Sequence, residues 1–134
     1  MYQAWHSDPT VYNTLAKMGQ SAGMVPYHRH GILPTKNYRK GTWAEAIGHV
    51  NGQNLADWYF VKPKACFSCP VPCQHLYVVD RGPNAGDYGE GMELGQLEYF
   101  SSRIMVSDLD LVMKAAVLCN EYGIDVLEDY FLKP

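Results

Sequence analysis

The sequence predicts a mainly α fold with one or two short strands. Three observations carry that expectation. Residues 107–123, SDLDLVMKAAVLCNEYG, read as a long capped helix. Residues 8–18, DPTVYNTLAKM, read as a second. Only residues 75–80, HLYVVD, combine aromatic and β-branched residues in the manner of a strand.

Taken in order, Asp8 suits a helix cap and Pro9 the first helical position. Val11, Leu15 and Met18 then fall on one face. Residues 19–41 read as a loop, punctuated by Gly19, Gly23, Pro26, Gly31, Pro34 and Gly41. TWAEAIGHV (42–50) and NLADWYF (54–60) read as two short helices broken at Asn51-Gly52. The strand at 75–80 precedes a glycine-rich turn over 81–91, RGPNAGDYGEG. Residues 92–105 read as a helix. In the helix over 107–123, Ser107 and Asp110 match a capping box, and Asp110 and Lys114 form an i,i+4 pair. Leu111, Ala115, Leu118 and Tyr122 share its apolar face, widened by Val112, Ala116 and Cys119. Gly123 ends it, and a last short helix starts at Asp125.

The length of 134 residues suits one domain at most, large enough to bury a core without disulfides. Apolar residues at 47% and charged residues at 19% are an ordinary soluble balance. A net charge of −3, with scattered basic residues, gives no electrostatic basis for binding nucleic acid or an anionic membrane. No apolar run approaches the roughly 20 residues that span a bilayer. The N-terminus lacks the basic start and apolar core of a signal peptide. A reducing cytoplasm is therefore the default location, where clustered cysteines serve as metal ligands or redox groups more often than as disulfides.

Three of the four cysteines lie in KACFSCPVPCQHLYVVD (64–80), spaced Cys66-x2-Cys69-x3-Cys73. Pro70 and Pro72 block a regular helix, so the segment can present its sulfurs from several directions. Backbone amides there can donate to cluster sulfur. Four readings stay open: an iron–sulfur cluster, a Cys3His zinc site using His75, a dithiol redox pair of Cys66 and Cys69, and ordinary buried cysteines. Cys119, on the helix over 107–123, reads as a small core residue.

Three motifs in order resemble the tungsten-containing aldehyde:ferredoxin oxidoreductases. GILPTKNYRKGTW (31–43) resembles the family's G-x-L-P-T-R-N-F segment. VKPKACFSCPVPC resembles its V-K-R-K-A-C-x-x-C-P-x-x-C segment, and LCNEYGIDVL resembles its C-N-x-x-G-L-D-T-I segment. The resemblance covers about residues 14 to 128, whereas family members are several times longer. It implies a single partial domain over 1–134, an internal piece of the helical middle region of such an enzyme.

The resemblance implies a [4Fe–4S] cluster, with Cys66, Cys69 and Cys73 as metal ligands and a fourth cysteine beyond Pro134. Cys119 belongs to the C-N-x-x-G helix and is not the expected fourth ligand. It implies tungsten, or molybdenum in some relatives, held by two pterin dithiolenes. Asn120-x-x-Gly123-Ile124-Asp125 matches the family's D-x-x-G-L-D pterin motif, making Asn120 and Asp125 cofactor-binding candidates. A carboxylate suits this role because it accepts paired hydrogen bonds from pterin N–H groups; Asp125 also reads as a helix cap. It implies oxidation of an aldehyde to a carboxylic acid, with electrons passing singly to ferredoxin or a similar acceptor. The remaining domains of the enzyme are implied partners, and a homodimer is compatible with it. The 134 residues alone are expected to be inactive.

One departure bears on the substrate. Many relatives carry P-E-Y-E after the cluster, whereas this chain has G-D-Y-G-E-G, with Gly89 after Tyr88. The nearest acids are Asp87 and Glu90. Glu90 is the catalytic candidate for proton transfer, with a solvated loop acid as the other reading. The departure points to a divergent branch such as the tungsten subunit of an aromatic acyl-CoA reductase. Two readings outside this family are a small iron–sulfur electron carrier using Cys119 and a zinc-binding interaction module.

Overall fold

The computed structural model describes residues 7–126. Helix α1 (Pro9–Met18) forms as its sequence dictates. Asp8 Oδ1 accepts from the backbone N–H groups of Thr10 and Val11 at 3.0 and 3.2 Å, and Pro9 occupies the first turn. None of its residues is fully buried, and Val11 is exposed, so this helix lies on the margin of the core.

Residues 19–41 are not all loop. A 3-10 turn (Gly19–Gly23) runs into helix α2 (Met24–Arg29). Pro26 is tolerated there because it lies in the first turn, where backbone N–H groups need no intrahelical partner. Met24 anchors α2 in the core. The following segment carries three successive left-handed residues, Lys36, Asn37 and Tyr38. It is pinned to residues 102 and 103, where Lys36 N–H donates to Ser102 O (2.9 Å) and Asn37 N–H to Arg103 O (2.8 Å). The Arg103 guanidinium stacks on Tyr99 at 3.6 Å and on Tyr38 at 4.4 Å.

Residues 42–50 form successive turns rather than the expected helix, and these bury Trp43, Ala46 and Val50. Helix α3 (Gly52–Trp58) starts two residues earlier than expected and stops earlier. Its start is set by Asn51, whose Oδ1 accepts from Asn54 N–H at 3.0 Å. A Cβ on Gly52 would lie 2.7 Å from the Ser21 carbonyl carbon, so glycine lets α3 press against the 3-10 turn.

The fold is mixed rather than mainly α. Strands β1 (Phe60–Lys64), β2 (Gln74–Val78) and β3 (Tyr88–Gly91) form an antiparallel sheet in the order β1-β2-β3. Only β2 was legible as a strand. Pro63 obscured β1, and is accommodated because β1 is an edge strand. Gly89 and Gly91 disguised β3 as a turn, since glycine is depleted in strands. Here the missing side chain is required: a Cβ on Gly89 would meet Tyr77 Oη at 2.5 Å.

Helix α4 (Leu94–Phe100) is half the expected length. Glu93 caps it, accepting from the Gln96 backbone while the Gln96 side chain accepts from Glu93 N–H. Helix α5 (Leu109–Tyr122) follows. Its cap is Asp108 rather than Ser107, accepting from Asp110 and Leu111 N–H at 3.0 and 3.4 Å. Gly123, at φ 67°, closes it as expected.

The buried face of α5 is Leu109, Val112, Met113, Ala116 and Val117; Val112 and Ala116 lie on the expected face, whereas the stripe through Leu111, Leu118 and Tyr122 is exposed. Both stripes are apolar at helical spacing, so periodicity alone does not choose between them. Asp110 and Lys114 engage tertiary partners instead of each other. Tyr59 Oη donates to Asp110 Oδ1 at 2.5 Å, and Lys114 Nζ donates to Asp87 Oδ1 at 3.0 Å. The core gathers Met24, Leu33, Trp43, Leu55, Leu97 and Met113 from every part of the chain. The expected last helix lies almost wholly outside the described residues.

Candidate metal and cofactor site

The cysteine segment is the connection between β1 and β2. Cys69 N–H donates to Cys66 O at 3.0 Å, closing a turn over Phe67 and Ser68. Ser68 takes a left-handed conformation at φ 58°. Cys73 N–H donates to Val71 O at 3.0 Å. The prolines thus keep the segment out of helix. Cys66 and Cys69 are exposed, Cys73 is half-buried, and all three are free thiols. Phe67 projects fully into solvent from the turn.

Cys73 is the anchored member. Gln20 N–H donates to Cys73 O at 3.1 Å, tying it to the 3-10 turn after α1. Among the described residues, no three His, Cys, Asp or Glu side chains converge on a point suited to one metal ion. An iron–sulfur cluster is larger than a single ion and draws its cysteine sulfurs from farther apart. Three thiols free of disulfides on one short non-helical connection are the soft donor set it takes. The donor chemistry suits three of the four positions of such a cluster.

His75 does not fit the zinc reading. It is buried, its Nε2 lies 2.8 Å from Ala16 O, and its ring stacks on Phe60 at 4.2 Å and 8°. Burial lowers its pKa, partly offset by the bond to Ala16. Cys119 is half-buried and lines a small cleft with Tyr99, Phe100 and Ile104 that contains no residue of the cysteine connection.

Beside the cysteine connection lies a cleft of about 440 Å³. It gathers all three candidates from the other motifs, Glu90, Asn120 and Asp125. Asn120 comes from the last turn of α5, and the left-handed Gly123 turns the chain so that Asp125 lines the same cleft. Glu90 arrives on β3, opposite Leu76, with its carboxylate ion-paired to Lys64.

Three residues of this wall were not singled out from sequence: Gln74, Glu93 and Gln96. Gln74 Nε2 donates to Glu93 Oε1 at 2.7 Å. The available signals were the position of Gln74 directly after Cys73 and the spacing Glu93-x-x-Gln96, a helix-start pattern. Gly91, at φ 116°, leaves room for Gln96, whose Oε1 would lie 2.8 Å from an added Cβ.

Comparison with known proteins decides the family. Residues 1–128 match the family described as aldehyde ferredoxin oxidoreductase, domains 2 & 3. The chain belongs to this family. Similar relatives are the tungsten-containing aldehyde ferredoxin oxidoreductases of Pyrococcus furiosus and Thermococcus kodakarensis. They are 28% and 25% identical over 121 residues, which is 90% of this chain. The corresponding protein of Pyrococcus horikoshii is 28% identical over 120 residues. The chain spans 19% of the length of each of these relatives. In this chain the cysteine connection runs directly into the cleft wall, because Gln74, the residue after Cys73 and the first of β2, lines the cleft. No helix among the described residues is long and apolar enough to cross a membrane.

Proposed function

We propose that this chain is one partial domain of a tungsten-pterin, [4Fe–4S] oxidoreductase that oxidises aldehydes to carboxylic acids and passes electrons to ferredoxin. In this reading Cys66, Cys69 and Cys73 supply three cluster thiolates. Asn120 and Asp125 supply part of a pterin site, with molybdenum as the alternative metal. The observation that carries it is the adjacency of the two motifs. The residue following Cys73, Gln74, is itself part of the cleft wall that holds Asn120 and Asp125.

The metal–pterin group supplies the redox chemistry when bound, and the cluster supplies the exit for single electrons. The chain's own residues bind and orient. The Asp125 carboxylate and the Asn120 side-chain oxygen accept N–H donors of a pterin-like ring. The Gln74 and Gln96 amides add neutral donors and acceptors along the same wall. Glu90, whose carboxylate pairs with Lys64 at the edge of the cleft, is the candidate for proton transfer.

Replacement of each cysteine tests the cluster. Cys66→Ser, Cys69→Ser and Cys73→Ser in the anaerobically purified full-length enzyme are expected to abolish the [4Fe–4S] EPR signal. An unchanged signal in all three would overturn the assignment. Asp125→Asn is expected to lower bound pterin and tungsten while leaving the iron content intact.

Gly89 favours a second reading of the substrate. The position after Tyr88 has no room for a carboxylate side chain, because Tyr77 Oη occupies the space of its Cβ. This is consistent with the tungsten subunit of an aromatic acyl-CoA reductase. Parallel assays with an aromatic aldehyde and an aromatic CoA thioester separate the two, since turnover of the thioester alone excludes the aldehyde reading.

A further inference from the structure

We propose that Gln20 is a positioning residue that sets the reduction potential of the iron–sulfur cluster through a hydrogen bond to the sulfur of Cys73. The inference rests on the reading of Cys73 as a cluster ligand.

Gln20 holds Cys73 at two points. Its backbone N–H donates to Cys73 O at 3.1 Å, and its side-chain Nε2 lies 3.9 Å from Cys73 Sγ. A thiolate is an acceptor without a donor, so the amide nitrogen is the end of the side chain that faces it. Cys66 and Cys69 lie exposed on the turn, and only Cys73 is fastened to a separate element in this way.

The approach depends on Gly19. It takes φ +62°, and a Cβ there would lie 2.7 Å from Cys73 O and 3.0 Å from His75 Nδ1. The chain leaves α1, turns left-handed without a side chain, and lays Gln20 along the Cys73 backbone. Two residues on, His75 Nε2 bonds to Ala16 O at 2.8 Å. The end of α1 is thus bound to the start of β2 at Ala16 as well as at Gln20. The amide is presented from helix-supported backbone, not from a loose loop.

The sign of the effect follows from charge. The reduced cluster carries one more electron than the oxidised cluster, and part of that charge resides on the ligand sulfurs. An N–H dipole directed at Cys73 Sγ therefore stabilises the reduced form more and raises the potential. The amide takes up and releases no proton, so the effect persists across the working pH range.

The experiment is an EPR-monitored redox titration of the full-length holoenzyme in wild-type, Gln20→Leu, Gln20→Glu and Gln20→Lys forms. Each is normalised to its iron content. Gln20→Leu removes the donor and is expected to lower the midpoint potential. Gln20→Glu keeps the side-chain length but replaces the donor by a negative charge, and is expected to lower it further. Gln20→Lys keeps a donor and is expected to restore or raise it. A wild-type potential in both Gln20→Leu and Gln20→Glu overturns the proposal, and if Gln20→Leu fails to retain iron, Gln20→Glu alone decides. Cys73→Ser distinguishes the underlying reading: a cluster signal that survives that change shows that Cys73 is no ligand. An unchanged potential at Gln20 with a Cys73-dependent signal rejects only the role of Gln20.

Discussion

Gln74 and Glu93 join the cysteine connection to the wall of the cleft by a 2.7 Å hydrogen bond. Gln74 follows Cys73 at the start of β2, and Glu93 caps α4. One carboxylate thus fixes a helix start and receives the amide of the residue next to Cys73. Gln74→Leu removes a neutral donor from a carboxylate and is expected to cost on the order of 1 kcal/mol in chemical denaturation. Glu93→Ala removes the cap as well and should cost about 2 kcal/mol. A double-mutant cycle should show coupling of at least roughly 0.5 kcal/mol, and strict additivity would refute the link.

The two apolar stripes of α5 give a sharp contrast. Met113 is fully buried and Leu118 is exposed. Met113→Ala is expected to destabilise by roughly 2–5 kcal/mol, through lost burial and a residual cavity. Leu118→Ala should stay within about 0.5 kcal/mol. Comparable losses at both positions would mean that the exposed stripe is covered in solution.

Tyr77 makes stability fall at alkaline pH. Its pKa is pushed up to about 12, first by burial and then by the nearby Asp87 carboxylate. Tyrosine in the unfolded chain ionises near pH 10. Between those values the unfolded state releases a proton that the folded state keeps, so the stability present below pH 10 is lost as pH rises. Tyr77→Phe is expected to flatten that loss. Its hydroxyl is buried with no hydrogen-bond partner among the described residues. The substitution should therefore be neutral or stabilising at pH 7, which thermal unfolding at pH 7 and pH 11 would measure.

Gly19→Ala should act through two costs that Gly31→Ala separates. Both glycines are left-handed, at φ 62° and φ 72°. A Cβ at Gly31 meets nothing within 4 Å, whereas at Gly19 it would press on Cys73 O. Gly31→Ala is expected to cost about 1 kcal/mol, from backbone strain alone. Gly19→Ala should cost roughly 1–3 kcal/mol beyond that and lower the iron retained on reconstitution. Equal effects of the two would show that the contact with Cys73 carries no weight.

What the sequence determined by itself were features set by near neighbours. Asp8-Pro9 starts α1, Gly123 ends α5, Pro70 and Pro72 keep the cysteines out of helix, and the three motifs identify the family. Each depends on backbone preference or spacing within a few residues. Tertiary structure decided the rest because the deciding partners are distant in sequence. Pairing with β2 turned a glycine-rich stretch into β3 and gave Pro63 an edge strand. Packing against the core selected Met113 and Val117 over Leu111 and Leu118. Asp87 drew Lys114 away from Asp110, and Tyr59 took Asp110. The cleft itself arises only when β3, the start of α4 and the end of α5 meet, placing Glu90, Glu93, Asn120 and Asp125 on one wall. No local pattern encodes that meeting, because it is burial of the shared core that brings those elements together.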